Sequence, residues 1–162
     1  MTLPDPPPPS AAPSDPRWVR YVETTLRFHT PAVAIDLRQA LDAAALAGLE
    51  QLGLGSSFAV WTAENPFGEE QDGASNRERR ERLEGELAAR EVPFRRVTTE
   101  SADGRYREEC VAAAVDLPAA REMATALGQM ALFWFDGRRF LLVGALVEAE
   151  PVSLPIDDPT PS

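Results

Sequence analysis

Six consecutive residues, Phe58-Ala59-Val60-Trp61-Thr62-Ala63, are apolar on both faces of any strand they form. A strand with one wet face alternates apolar and polar residues; one without that alternation needs cover on both sides. The run therefore predicts a central strand. It leads into a tight polar loop, Glu64-Asn65-Pro66-Phe67-Gly68, then an acidic spacer, then a charge-laced helix.

The other elements are read outward from this strand. Trp18 to Phe28 is rich in aromatic and β-branched residues and predicts a strand, broken by His29-Thr30-Pro31, with a short second strand at Val33-Ala34-Ile35. Leu37, Leu41, Ala45, Leu49 and Leu52 recur at helical spacing, predicting a helix from about Leu37 to Leu52 that ends at Gly53. Ser75-Asn76-Arg77-Glu78 has capping-box spacing, which places a helix start at Ser75. Its inner stripe is Leu83, Leu87 and Ala88, and Glu and Arg four apart line its outer face. Phe94–Thr99 and Arg105–Val115 flank the turn signal Asp103-Gly104. Asp116, followed by Pro118, caps a third helix with Ala120, Met123, Ala124 and Leu127 inward, ended by Gly128. Ala131–Phe135 and Phe140–Val147 form a hairpin about Asp136-Gly137, and both arms are apolar on both faces, so the hairpin belongs inside the sheet.

The expected fold is α+β: a single mixed, mostly antiparallel sheet of six to seven strands with three helices on it. The domain is expected at residues 17–149. Residues 1–16 and 150–162 are rich in proline and poor in core formers, and are expected to be disordered tails.

Charge and composition exclude several classes of function. The formal net charge is −10 and every side-chain cation is arginine apart from His29, which disfavours nucleic acid and anionic membrane as partners. Cys110 is the one cysteine and His29 the one histidine, so no intrachain disulfide and no histidine pair on a metal can form. No metal or cofactor is expected. No signal-peptide pattern and no run long enough to span a membrane is present, so the expected compartment is the cytoplasm.

Four segments carry a resemblance. Thr62-Ala63-x-Asn65-Pro66-x-Gly68, Ser75-Asn76-x-x-Arg79, Tyr106-x-Glu108-x-Cys110 and Leu127-Gly128-Gln129-x-Ala131-x-Phe133 occur in that order. Together they resemble the small bacterial family known as domain of unknown function 3293. The resemblance covers roughly residues 58–143 and implies a bacterial soluble domain with no established activity. Cys110 stands where the family pattern has serine, and Trp61 where it has an aliphatic residue.

The candidate ligand-binding residues are Thr62, Asn65, Asn76, Arg79, Glu108 and Gln129. A strand, a turn and a helix N-terminus in succession offer free amides to a ligand. The residue before Pro66 is pushed toward extended backbone, which would aim Asn65 into a crevice. Glu64, Glu69, Glu70 and Asp72 share that connection. A like-charge contact at ~4 Å costs about 4 kcal/mol at an effective dielectric near 20, which favours a neutral or cationic ligand over a phosphate. Tyr106, Glu108 and Cys110 share one strand face. If that face is buried, Glu108 needs a partner such as Arg79, Asn76 or Gln129.

Three functions are compatible with these residues. The first is a non-catalytic module that binds a small polar or cationic ligand or a peptide. The second is an enzyme with Glu108 as general acid/base and Asn65 and Gln129 orienting the substrate. The third is a protein partner that uses a sheet edge or the Pro-rich tail. The structural alternative is that Thr62 and Asn65 only tie down their turn, and that Cys110 is a small buried apolar group.

Overall fold

A computed structural model of the protein describes residues 21–156. The tail expected at residues 1–16, Trp18 and residues 157–162 lie outside the described residues. In chain order the elements are β1 (Thr25–Phe28), β2 (Val33–Asp36), α1 (Ala43–Glu50), β3 (Phe58–Thr62), a 3-10 turn (Pro66–Gly68), α2 (Gly73–Ala89), β4 (Phe94–Glu100), β5 (Arg107–Ala113), α3 (Leu117–Ala126), β6 (Ala131–Phe135), β7 (Phe140–Gly144) and β8 (Val152–Leu154).

The strands form one sheet in the order β2-β1-β4-β5-β3-β6-β7-β8. Every neighbouring pair is antiparallel. The fold is α+β as expected, but with eight strands rather than six to seven and no parallel pair. The additional strand is β8, from a segment the sequence marks as a Pro-rich tail. Pro151 and Pro155 lie just outside its three residues, on a sheet edge where a missing N–H breaks no ladder. β8 covers β7, so the β6–β7 hairpin lies inside the sheet, as its two apolar faces require.

β3 sits between β5 and β6, and all five of its residues are buried. Helices α2 and α3 cover one face, where Ala59, Trp61, Val111 and Leu132 meet Leu83, Leu87, Ala120 and Ala124. The small side chains of α3 let it approach the sheet closely. The other face gathers Leu26, Phe28, Phe58, Val60, Val97, Phe133 and Phe140 under Leu49, Leu52 and Leu54. This face is concave. β1 and β3 are separated by β4 and β5, at about 4.8 Å per step. Yet the rings of Phe28 and Phe58 meet edge-on with centroids 6.3 Å apart. Phe58 also packs on Phe135 at 5.2 Å and on Phe140 at 5.9 Å. The sheet curls around these rings.

Several boundaries differ from the sequence expectation. The first strand is short: Tyr21 and Val22 are helical, and pairing begins at Thr25. Helix α1 starts at Ala43, not Leu37. The Asp36 carboxylate takes both the backbone N–H and the guanidinium of Arg38, the Leu37 N–H donates to Thr24 O, and the helix begins where Asp42 accepts the Ala45 N–H. Helix α2 is capped by Asp72, not Ser75: the Ser75 N–H donates to Asp72 Oδ1 at 2.7 Å. A charged oxygen three residues earlier wins over the serine hydroxyl because it adds a favourable interaction with the helix dipole. Ala88 is exposed, so the buried apolar stripe of α2 is Leu83 and Leu87. Of the expected Glu/Arg pairs, Glu78–Arg82 forms at 3.4 Å; Glu84 turns inward to Arg96, and Glu86 pairs with Arg90. Asp116 caps α3 as expected, accepting the Ala119 N–H at 2.8 Å. The β6–β7 turn centres on Gly137 and Arg138 rather than Asp-Gly. Asp136 instead accepts the N–H groups of Arg138 and Arg139.

Candidate functional site

At the end of β3 the chain leaves a buried strand and must satisfy its polar groups locally. Thr62 Oγ1 donates to Glu109 O at 2.8 Å and accepts the Glu64 N–H at 3.0 Å, pinning the strand end to β5. Asn65 is left-handed, with φ 46° and ψ 57°, and not the extended residue that its place before Pro66 predicts. Reciprocal bonds to α2 override that preference. The Asn65 N–H donates to Asn76 Oδ1, Asn76 Nδ2 donates back to Asn65 Oδ1, each at 3.0 Å, and Asn65 Oδ1 also accepts the Gln71 N–H at 2.9 Å. Asparagine is among the few L-residues that enter this region readily.

The same loop is fastened to the turn after α3. The Phe67 N–H donates to Gly128 O at 2.7 Å, and Gln129 Nε2 donates to Glu64 O at 2.9 Å. Gly128 has φ 73°, and a Cβ there would lie 2.9 Å from the Cβ of Pro66. Glycine is needed twice over: for its backbone angle and for the close approach of the loop.

These ties bring distant residues around one opening at the end of the trough. Asn65, Glu108 and Gln129 line a hollow of about 470 Å³, together with Glu70, Arg105 and Arg107. Behind it lies a recess of about 50 Å³, floored by Val60, Cys110, Ala131 and Phe133 and edged by Thr62. Tyr21, Tyr106, Glu108 and Gln129 border both. Asn76 and Arg79 line neither. Asn76 braces the loop from behind, and Arg79 is exposed on α2. None of Arg79, Asn76 and Gln129 makes a hydrogen bond or ion pair with Glu108, so the partners expected for that carboxylate are not these.

Alternation along β5 puts Tyr106, Glu108 and Cys110 on the trough side, and burial deepens along it: Tyr106 is exposed, Glu108 half-buried, Cys110 buried. Burial, and next the nearby Glu108 charge, push the Cys110 thiol well above its ordinary value, so it is an un-ionised apolar group. His29 Nε2 sits 2.8 Å from the Thr98 hydroxyl. Thr98 points to the opposite sheet face from Val97, whose side chain joins Cys110 in the trough-side core. No cluster among the described residues has three or more groups suited to a metal ion.

The carboxylates of the loop largely turn away from the hollow. Asp72 caps α2, and Glu64 is buried. Glu64 Oε1 accepts the Glu109 N–H at 2.9 Å, and Oε2 lies 4.0 Å from Arg80 Nη1. Burial raises the pKa of Glu64 above the usual carboxylate value, against the opposing pull of the Glu109 N–H and Arg80. Glu64, not Glu108, is thus the strongly buried acid of the region. Its position directly after a strand buried on both faces was the signal for it. Arg105 and Arg107 were also missed as wall residues. Arg107 immediately precedes Glu108, at the start of β5, and Arg105 lies two residues before Arg107.

Residues 61–132 match the family described as "Protein of unknown function (DUF3293)", the one the sequence resembles. No curated protein matches the chain. No solved structure matches it. No helix among the described residues is long and apolar enough to cross a membrane.

Proposed function

We propose that this protein is a non-catalytic binding module whose ligand, small and polar or cationic, sits in the hollow at the end of β3. The observation that carries this reading is convergence. Asn65, Glu108 and Gln129 come from three separate segments and line one opening. Its volume falls in the range of roughly 300–1,000 Å³ typical of small-ligand sites. Thr62, Asn65 and Asn76 act as the frame, because their polar atoms hold the loop in place. Glu108, Gln129, Arg105 and Arg107 supply the recognition surface. The acid with the raised pKa, Glu64, borders neither the hollow nor the recess, which favours binding over general acid/base catalysis.

A thermal-shift screen of amino acids, amines and small polar metabolites tests this. A ligand present at about 100 times its dissociation constant adds about 2.7 kcal/mol of stability. The expected result is at least one stabilising compound whose effect is lost in Glu108→Gln. Hits that stabilise Glu108→Gln as well as the native protein would place the ligand elsewhere and overturn the reading.

A further inference from the structure

We propose that the groove between the free edge of β2 and helix α1 takes an extended, basic peptide from a partner protein, added to the sheet as a further strand. This groove shares no residue with the hollow at the end of β3, and the proposal stands independently of that hollow.

The two edges of the sheet are unlike. At one, β8 offers three residues between Pro151 and Pro155. Short strands and prolines are common means of keeping an edge from pairing with other chains. At the other, β2 runs Val33-Ala34-Ile35-Asp36, with no proline inside it and its one charge at its last residue. The Leu37 N–H donates to Thr24 O, and the register continues through Ile35–Leu26 and Val33–Phe28. Antiparallel pairs alternate, so these residues bond to β1 while the N–H and C=O of Ala34 point outward. No strand lies beyond them among the described residues.

Helix α1 roofs this edge. It packs on β2 so closely that a Cβ on Gly48 would lie 3.2 Å from Val33 Cγ1. The groove beside it has a volume of about 640 Å³ and runs along the strand from Ala32 to Asp36. Its helical wall includes Ala44 and Ala47, both exposed. A surface helix ordinarily turns a polar face outward, yet Glu50 is the one charged residue of α1. A strand added along β2 would bond to Ala34 and lay every second side chain against this apolar wall, which calls for aliphatic residues at alternate positions. The charged side chains lining the groove are Asp36 and Asp42. Arg38 answers Asp36, and the Asp42 carboxylate caps α1 with no cation beside it. The groove is therefore net acidic and selects a basic peptide over an acidic one.

The position of α1 also separates a peptide from a second copy of the chain. Two copies paired antiparallel through Ala34 would hold their β2 strands about 4.8 Å apart with both α1 helices on the same face. Packed helix axes need roughly 8–10 Å, so the two roofs would collide. A peptide brings no helix of its own.

A library of random dodecapeptides displayed on phage, panned against the full chain, tests the proposal. Enriched sequences are expected to carry aliphatic residues at alternate positions beside a lysine or arginine. A synthetic peptide of the enriched sequence should slow hydrogen exchange of the Ala34 amide at least tenfold. Ala34→Pro removes the outward donor without breaking a bond to β1 and should weaken that peptide at least tenfold by fluorescence anisotropy. Ala44→Arg, a change on the exposed face of α1, should do the same, and it decides the matter if Ala34→Pro fails to fold. No enrichment, peptides that bind Ala44→Arg as tightly as the native protein, or an Ala34 amide that exchanges at an unchanged rate would overturn the proposal. A dimer in sedimentation equilibrium that Ala34→Pro splits would overturn it in favour of a second copy.

Discussion

Asn65 is the residue on which the geometry of the loop turns, and its replacement can be worked through bond by bond. Its Oδ1 accepts from the Gln71 N–H and from Asn76 Nδ2. Each such bond contributes about 1 kcal/mol net. Its backbone, at φ 46°, is left-handed, which costs an ordinary L-residue about 1–2 kcal/mol. Asn65→Ala loses both bonds and takes on that backbone penalty, so about 3 kcal/mol of stability should be lost. Asn65→Gly loses the bonds but relieves the backbone, against an entropy cost of roughly 0.5–1 kcal/mol, and should be less damaging than alanine. Asn65→Asp keeps an oxygen in place and should lose less than about 1 kcal/mol. Urea denaturation followed by far-ultraviolet circular dichroism gives these differences. Combining Asn65→Ala with Asn76→Ala should show a coupling of about 1 kcal/mol or more, because one change already removes what the other would. Additive effects, or alanine tolerated as well as glycine, would refute the reasoning that a reciprocal side-chain lock holds Asn65 left-handed.

Two further outcomes follow from the buried polar groups. The pKa of Glu64 is raised in the fold, so folding favours its protonated form. The stability this contributes is present below the unfolded value of about 4.3 and is lost as pH rises through the raised folded value. Glu64→Gln can still accept the Glu109 N–H and should gain stability relative to the native protein between pH 4 and neutrality; a pH-independent difference in urea midpoints would contradict this. Among the described residues Trp61 Nε1 is buried without a hydrogen-bond partner, a defect of roughly 1–3 kcal/mol. Trp61→Phe removes the orphan donor and offsets its lost packing, so a thermal melt should place it within about 1 kcal/mol of the native protein, whereas Trp61→Ala should lose about 3–5 kcal/mol.

The centre of the fold was legible because its signals are local and strong. Phe58–Trp61 is uniformly apolar, and Phe58–Thr62 is uniformly buried. Asp116 and Gly128 bracket α3 as cap and terminator. The β6–β7 hairpin is apolar on both faces and has a neighbour on each side. What was misread depends on competition between distant groups. Leu37 fits a helical spacing, yet its N–H is claimed by Thr24 O, and the helix waits for Asp42. Ser75 has the spacing of a cap, yet Asp72 is the stronger acceptor. β8 hides between two prolines that an interior strand would reject and an edge strand tolerates. In the site, Asn65, Glu108 and Gln129 were expected to meet because they fall at strand and helix ends, and the three line one hollow. The bonds of Asn76 to the loop, the exposed position of Arg79 on α2 and the burial of Glu64 were not legible, because each depends on which way a side chain turns once α2 has docked.

The most direct measurement is a two-dimensional ¹H–¹⁵N nuclear magnetic resonance titration of the protein with the most strongly stabilising compound of the thermal-shift screen. Saturable shifts confined to the amides around Asn65, Glu108 and Gln129, with the side-chain amide of Gln129 among them, are the expected result. Shifts that are absent, that fail to saturate, or that cluster on a surface away from these three residues would contradict a ligand site at the end of the central strand.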